Sequence, residues 1–197
     1  MLKALAVMTC DENTKNCVEM IHDTLDFVVN QGDIVVDATA GNGHDTLKLA
    51  ELVGEDGHVY AFDIQQTALD HTKERLAEAD FLQRVTLLHL DHSIMDTVIK
   101  EKIAAVVFNL GYLPGGSHQI ITEPRKTITA LEHSLELLQS GGVILIGVYW
   151  GHPGGEIEKN AVEQWLRQLP AADYDIMETS FPNRQKAPIV ITLQKKC

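Results

Sequence analysis

With 197 residues the chain can form one well-buried domain and is too short for two of ordinary size. Its net charge of −12 argues against a broadly basic nucleic-acid-binding surface, because contacts to phosphates supply most of the non-specific affinity for nucleic acid. No apolar run approaches a membrane span, the first residues make no convincing signal peptide, and the cysteines, Cys10, Cys17 and Cys197, lack a paired metal spacing. We therefore expect a cytoplasmic protein without a membrane segment, a disulfide framework or a zinc site.

The first predicted element is an amphipathic helix that ends near residues 31–32. Apolar residues recur there at helical spacing, at Val18, Ile21, Leu25, Val28 and Val29. The helix precedes the first strand, so we expect it to cover the sheet or the active site.

Alternating strands and helices follow. Short segments rich in Val, Ile and Leu predict buried strands at 33–38, 57–63, 84–90, 103–109 and 142–149. Helices are predicted between them at 44–53, 65–80, 93–100 and 124–140. The alternation indicates a parallel, doubly wound sheet.

The end of the chain departs from this alternation. A helix with an apolar face from Ile157 to Leu169 precedes two strands, at 174–181 and 187–193, that a short loop joins into a hairpin. One of these strands must run antiparallel to the rest. Seven strands with a terminal antiparallel hairpin resemble the Rossmann-like α/β fold of class I methyltransferases, with helices on both faces. We expect one domain over 1–197, made of a helical segment (1–31), a cofactor-binding core (33–150) and a C-terminal helix and hairpin (151–197).

A glycine turn between the first strand and the next helix predicts a nucleotide-type cofactor. Gly41 and Gly43 allow a tight turn and a close approach of backbone to ligand, and Asp63 ends the following strand, where it can accept hydrogen bonds from both ribose hydroxyls. The alternative is an ordinary strand-to-helix turn with Asp63 as a surface residue.

Asp37, at the end of the first strand, favours one cofactor over another. A carboxylate there would repel the pyrophosphate of NAD and attract the sulfonium and ammonium groups of S-adenosylmethionine (SAM). Thr46 also replaces the third glycine of the dinucleotide pattern. We therefore predict SAM as the cofactor.

Two further strand ends carry polar residues. Asp91 and His92 follow the third strand, where class I methyltransferases commonly contact adenine; capping of the next helix by Asp91 or Ser93 explains them equally well. After the fourth strand, the segment Asn109-Leu110-Gly111-Tyr112 resembles the Asp/Asn-Pro-Pro-Tyr segment that orients a nitrogen lone pair in amino-methylating enzymes, although both prolines are missing. The alternative there is a glycine-rich loop with a buried amide.

The loop after the fifth strand contains aromatic and ionisable residues. Tyr149 and Trp150 could stack on a flipped-out base or pack in the core. His152 or Glu156 could accept the proton of an ammonium substrate, and Glu156 could equally complement the dipole of the last helix.

The segments at 37–46, 62–65, 108–114 and 149–156 together closely resemble a family of small bacterial and plant methyltransferases once described as putative rRNA methylases. The resemblance covers nearly the whole chain and implies methylation of the amine of 5-aminomethyl-2-thiouridine at the tRNA wobble position. It implies that SAM is held by Asn42, His44, Asp45, Asp63, Gln65, Asp91 and His92. It places the modified uridine near Asn109, Tyr112, Tyr149, His152, Asn183 and Arg184.

The implied partner is the anticodon stem-loop of tRNA, and a homodimer is one assembly that the sequence permits. Basic residues at 125–126, 184–186 and 195–196 could form a local basic face despite the acidic total, or they could be scattered solvated charges. Other functions remain open: methylation of a small metabolite or a protein amine, a non-catalytic cofactor-binding subunit, or an NAD-dependent oxidoreductase.

Overall fold

Seven strands form one sheet in the computed structural model, which describes residues 16–113, 115 and 121–197. The strands are β1 (Ile34–Asp37), β2 (His58–Phe62), β3 (Val85–Leu88), β4 (Ile103–Leu110), β5 (Leu138–Val148), β6 (Tyr174–Thr179) and β7 (Ile189–Lys195). Their order is β3-β2-β1-β4-β5-β7-β6, and β7 runs antiparallel to both of its neighbours. The predicted mostly parallel sheet with a C-terminal antiparallel hairpin is confirmed.

Helices cover both faces of the sheet, because the apolar residues of the central strands point alternately to either side. They are α1 (Cys17–Val28), α2 (His44–Val53), α3 (Gln66–Glu78), α4 (Met95–Val98), α5 (Pro124–Leu137) and α6 (Gly155–Leu166). One core contains Ile21, Leu49 and Leu76 from α1, α2 and α3, and the other contains residues of α4, α5 and α6. Within the described part of the chain, no helix is long and apolar enough to cross a membrane.

A capping box sets the start of α1. The side chain of Asn16 accepts a hydrogen bond from the Glu19 N–H, and the Glu19 carboxylate accepts one from the Asn16 N–H. The buried side chains of this helix, such as Ile21 and Leu25, pack it against β4, β5 and β7. The predicted N-terminal helix is thus present, while residues 1–15 of the predicted helical segment lie outside the described residues.

Several predicted details differ from the structure. The first helix ends at Val28, ahead of its predicted end near 31–32. The helix predicted at 124–140 ends at Leu137 and β5 begins directly at Leu138, because Leu138 already pairs with Ile103, ahead of a register shift before Val143. The helix predicted at 93–100 is a 3₁₀ turn at 92–94 followed by the short α4. The apolar face predicted for α6 does not include Ile157, which is 69% exposed.

The strand order reverses between β1 and β4, which are parallel neighbours at the middle of the sheet. β2 and β3 extend to one side of this point and β5, β7 and β6 to the other. A crevice opens at such a switch point, outside the carboxyl ends of the strands, and ligands of open α/β proteins bind there.

Candidate functional site

A cavity of about 470 Å³ lies at the carboxyl ends of β1, β2, β4 and β5. It has the size of a small-molecule site, roughly 300–1,000 Å³. The predicted site residues that line it are Gly41, Asn42, His44, Asp45, Asp63, Gln65, Asp91, His92, Asn109, Leu110, Gly111, Tyr112 and Tyr149. Seven others are not among the lining residues: Asp37, Gly43, Trp150, His152, Glu156, Asn183 and Arg184.

Asp63 joins the end of β2 to the glycine turn after β1. One carboxylate oxygen accepts a hydrogen bond from the Gly41 N–H at 2.9 Å, and the other accepts one from the Gln65 N–H at 2.8 Å. A carboxylate oxygen can accept more than one hydrogen bond, so Asp63 retains acceptor capacity for ligand hydroxyls. These two hydrogen bonds fix the Asp63 carboxylate and also hold the glycine turn at Gly41 in place.

Gly41 and Gly43 have different structural roles. Gly41 lines the cavity, as expected for close approach to a ligand. Gly43 has a φ of +78° and faces α3 instead, where an added Cβ would lie 2.8 Å from the Cα of Thr72. The absence of a Cβ at Gly43 therefore allows α2 and α3 to pack closely.

Asp37 lies beneath the turn and is fully buried. It accepts hydrogen bonds from the Thr46 hydroxyl at 2.6 Å and from the Thr39 N–H at 3.1 Å. Burial and then the negative charge of Asp45 raise the pKa of Asp37 to about 7. Its interaction with a bound cation would therefore act across the turn rather than by direct contact.

Asn109 is held at the end of β4 by two neighbouring segments. Its N–H donates to the Thr39 hydroxyl at 2.7 Å, and its side-chain Nδ2 donates to Asp45 Oδ2. The other oxygen of Asp45 is 2.6 Å from Nε2 of His22 in α1. Asn109 Oδ1 is buried and has no hydrogen-bond partner among the described residues, so it remains an acceptor without a donor.

The loop after Asn109 is anchored by a buried acid that the sequence analysis missed. Thr122 accepts a hydrogen bond from the Gly111 N–H at 3.0 Å and donates to Glu158 at 2.5 Å. Glu158 is buried on α6, and it also accepts from Thr127 at 2.6 Å. A signal was present, because Glu158 shares the apolar face of α6 with Val162, a position where an unpaired charge would be costly.

Asp91 and His92 border the cavity on the β3 side. Asp91 accepts from the Ser93 N–H at 2.9 Å and lies 3.3 Å from the Lys126 ammonium. Burial would raise the pKa of Asp91, but the hydrogen bonds from Ser93, the neighbouring His92 and Lys126 hold it below its usual value. His92 Nδ1 is 2.9 Å from the Ala38 carbonyl oxygen and donates a hydrogen bond to it.

His44 occupies the opposite side of the cavity, at the start of α2. Burial and then the positive charge of Arg75 lower its pKa, which favours the neutral imidazole. The Arg75 guanidinium is 3.4 Å from His44 Nε2 and also donates to the Asn42 carbonyl oxygen.

The loop after β5 divides into two parts. Tyr149 lines the cavity, and burial raises the pKa of its hydroxyl. Trp150 packs against the core and donates from Nε1 to the Ala187 carbonyl oxygen at 2.8 Å, which favours the core-packing alternative. His152 donates from Nδ1 to the Pro153 carbonyl oxygen, while its buried Nε2 has no partner among the described residues. Its ring contacts the ring of Tyr112 edge-on, with centroids 5.7 Å apart.

The remaining predicted residues lie on the surface. Glu156 is exposed in the first turn of α6, where it complements the helix dipole. Asn183 and Arg184 are exposed in the loop between β6 and β7, and the Arg184 guanidinium lies 4.4 Å from the centre of the Phe181 ring. Pro114 lies outside the described residues.

The strand order, the glycine turn and the acid after β2 define a class I methyltransferase fold. The family model of the putative rRNA methylases matches residues 59–195, and the chain belongs to this family. It is 38% identical over 192 residues to the chloroplastic tRNA (mnm(5)s(2)U34)-methyltransferase of Arabidopsis thaliana, with 92% of this chain and 70% of that protein covered.

Two solved structures agree over nearly the whole chain. A putative rRNA methylase from Clostridium thermocellum is 42% identical with a TM-score of 0.90, covering 93% of this chain and 99% of that one. A putative methyltransferase from Streptococcus mutans in complex with SAH is 36% identical with a TM-score of 0.84, again covering 93% and 99%. The resemblance predicted from the sequence is confirmed at the level of the family.

Proposed function

We propose that this chain transfers a methyl group from SAM to the primary amine of 5-aminomethyl-2-thiouridine at the wobble position of tRNA. The proposal is supported by the Arabidopsis relative, whose name specifies the methylated form of this nucleotide, mnm(5)s(2)U, at position 34. It is also supported by the Streptococcus relative that binds SAH, the product that SAM leaves after methyl transfer. One observation carries the proposal. Asp63, the acid expected to bind the methyl donor, and Asn109, the amide expected to bind the acceptor, line the same cavity.

The charge of the cavity fits a cationic donor. Among the described residues, its lining contains four carboxylates, Asp45, Asp63, Asp91 and Glu123, and one ammonium, that of Lys126. Such a lining favours a sulfonium and disfavours a pyrophosphate. We infer that Gly41, Asn42, His44, Asp45, Asp63, Gln65, Asp91 and His92 hold SAM, which supplies an electrophilic methyl group.

The acceptor side would be formed by the ends of β4 and β5. Asn109, Tyr112 and Tyr149 would position the amine, together with the backbone at Leu110 and Gly111. The carbonyl oxygens of Leu110 and Gly111 already accept hydrogen bonds from the N–H groups of Tyr149 and Thr122, which leaves each with one further acceptor site. Catalysis would consist mainly of positioning a neutral amine in line with the methyl group.

A primary amine is mostly protonated at neutral pH and has no lone pair until it loses a proton. Of the two candidate bases we propose His152, whose unpartnered Nε2 lies near Gly111, rather than the exposed Glu156. An added Cβ at Gly111 would lie 3.7 Å from this nitrogen. His152 Nε2 would accept the proton before transfer.

The anticodon stem-loop would approach beside the β6–β7 loop. Asn183 and Arg184 lie in that loop, which packs next to Trp150 through Ala187. A small basic surface of this kind would make tRNA binding sensitive to salt despite the charge of −12. We also propose that a homodimer would enlarge this surface, which sedimentation tests. We propose further that the protein acts in the cytoplasm, which cell fractionation tests.

The decisive experiment is incubation with SAM and unmethylated tRNA from a strain that lacks the gene, followed by nucleoside mass spectrometry. We expect a gain of one methyl group on the 5-aminomethyl-2-thiouridine nucleoside. Methylation of rRNA, a small amine or a protein instead would show that the acceptor is not this tRNA nucleotide. No gain on any acceptor, with SAM still bound, would favour a non-catalytic subunit.

Asn109→Ala tests the role of the acceptor segment in the same assay. Because Asn109 is assigned to the amine and not to SAM, its loss should reduce kcat by about 10²-fold while the Kd of SAM changes little. Equal losses of turnover and SAM affinity would contradict the assignment.

A further inference from the structure

His22 lies on α1, outside the cavity lining, and reaches the site through one carboxylate. Its Nε2 is 2.6 Å from Asp45 Oδ1, and Asp45 Oδ2 accepts from Asn109 Nδ2. We propose that His22 is a positioning residue for methyl transfer: it fixes Asp45, and through Asp45 the side-chain amide of Asn109. The role of Asn109 itself rests on the function proposed above.

Asp45 depends on these two donors because it is poorly solvated. Its side chain is only 7% exposed, and a buried carboxylate is stable only when hydrogen bonds replace those of water. A second carboxyl, that of Asp37, is close enough for the two groups to influence each other's charge. Without His22, Oδ1 would lose its donor while the repulsion from Asp37 remained, so the carboxylate would shift or rotate.

The orientation of the Asn109 amide follows from the orientation of Asp45. Asn109 Nδ2 bonds to the carboxylate, so Oδ1 must point the other way, towards Gly147, where an added Cβ would come within 2.9 Å of it. A hydrogen bond to an ionised acceptor is stronger than one between neutral groups, which makes Asp45 the group that selects this orientation. The buried Oδ1 is thereby left as an acceptor with no donor among the described residues.

The helix that carries His22 is itself firmly placed. Its first turn is closed by the capping box of Asn16 and Glu19, and Ile21 and Leu25 are fully buried beside His22. Val18, one helical turn before His22, lines the cavity. α1 therefore presents two residues on one side towards the site, Val18 directly and His22 through Asp45.

A matched histidine provides the control. His133 Nδ1 lies 3.1 Å from Asp96, and its side chain is 25% exposed, compared with 26% for His22. The two histidines are similarly exposed and each lies beside an aspartate, but Asp96 is 39% exposed and Asp45 only 7%. Neither His133 nor Asp96 lines the cavity. His22→Ala, His22→Gln and His133→Ala form the test set, because the glutamine amide nitrogen can replace Nε2 as a donor.

We expect His22→Ala to reduce kcat on the wobble nucleoside by about 10- to 100-fold, and to weaken SAM binding by a clearly smaller factor, because Asp45 also belongs to the proposed SAM site. His22→Gln should recover much of the loss, and His133→Ala should have wild-type kcat. The proposal is overturned if His22→Ala retains kcat within about twofold, or if SAM affinity falls as much as kcat. The second result would show that His22 supports SAM binding through Asp45 and has no separate effect on Asn109.

A second readout needs no substrate. In ¹⁵N-labelled protein, the side-chain amide signals of Asn109 should move on His22→Ala and return towards their wild-type positions in His22→Gln, and they should be unaffected by His133→Ala. Unchanged Asn109 signals in His22→Ala would overturn the proposal. If the wild-type protein methylates no tRNA, the proposed function fails, and the amide signals still decide whether His22 positions Asn109.

Discussion

Thr122 and Glu158 are joined by a 2.5 Å hydrogen bond from the hydroxyl to the carboxylate. The same hydroxyl accepts a hydrogen bond from the Gly111 N–H, in the loop that follows Asn109. The second oxygen of Glu158 accepts from Thr127, within α5. A buried acid of α6 therefore reaches the acceptor loop through Thr122, while Thr127 donates its hydroxyl to the same acid from α5.

Thr122→Ala and Thr127→Ala separate stability from loop position. Each variant removes one hydrogen bond to Glu158 and should lower the free energy of unfolding by about 1–3 kcal/mol. Only Thr122→Ala also releases the Gly111 N–H, so it alone should lower kcat, by about 10-fold or more. Urea unfolding and the tRNA methylation assay measure the two quantities. Equal losses of kcat in both variants would show that Glu158 stabilises the fold without positioning the loop at Gly111.

Gly43→Ala and Gly41→Ala compare the two glycines of the turn. The added methyl group at Gly43 would meet the backbone of Thr72 at 2.8 Å, whereas at Gly41 the nearest atom, in the Leu113 side chain, is 3.5 Å away. Both residues have positive φ, so each variant carries backbone strain of about 1–3 kcal/mol, and Gly43→Ala adds the collision with α3. We expect Gly43→Ala to have the lower midpoint of thermal unfolding; the reverse order would contradict the packing role.

The fold could be predicted because its signals are local. Each central strand is a short apolar run, and the helices between them carry periodic apolar residues, so the alternation and the terminal hairpin follow from the sequence. The start of β5 could not be found in this way. It depends on the pairing of Leu138 with Ile103, a contact between distant segments that competes with the helical pattern of the residues before it.

The candidate site was predictable where a residue acts at a strand end, as for Asp63 and Asn109. The residues that hold these groups were not, because their roles depend on contacts across the fold. His22 is separated from Asp45 by a strand and a turn, and Glu158 from Thr122 by all of α5. The packing role of Gly43 was also not predictable, since the residue that it accommodates, Thr72, belongs to another helix.

Trp150→Phe tests whether this ring stacks on a base or packs in the core. The variant keeps an aromatic ring and loses the Nε1 hydrogen bond to the Ala187 carbonyl oxygen. We expect the free energy of unfolding to fall by about 1 kcal/mol, with kcat and the KM for tRNA unchanged, because Trp150 does not line the cavity. A raised KM for tRNA without a loss of stability would instead support base stacking.

Asp37 gives the stability of the protein a defined dependence on pH. Its pKa rises from 3.8 to about 7 through burial and the charge of Asp45. Between these values the folded chain holds a proton that the unfolded chain has lost. The contribution to stability is therefore fully present below the unfolded pKa and is lost as the pH rises through about 7, by roughly 4 kcal/mol in the limit. Asp37→Asn cannot ionise and should remove this decline in urea unfolding; the same decline in both proteins would contradict the assignment.

The charge of Asp37 should also distinguish SAM from SAH. The two ligands share their adenosine and amino-acid parts, but only SAM carries a positive sulfur, so the ratio of their Kd values isolates the attraction of the sulfonium. As Asp37 ionises near pH 7, this ratio should shift in favour of SAM by about fivefold, and in Asp37→Asn it should stay constant. Calorimetric titration of both ligands on either side of that pH measures the ratio. A constant ratio in the wild type would show that the carboxyl group does not reach the donor, and that Asp37 shapes the turn only through Thr39 and Thr46.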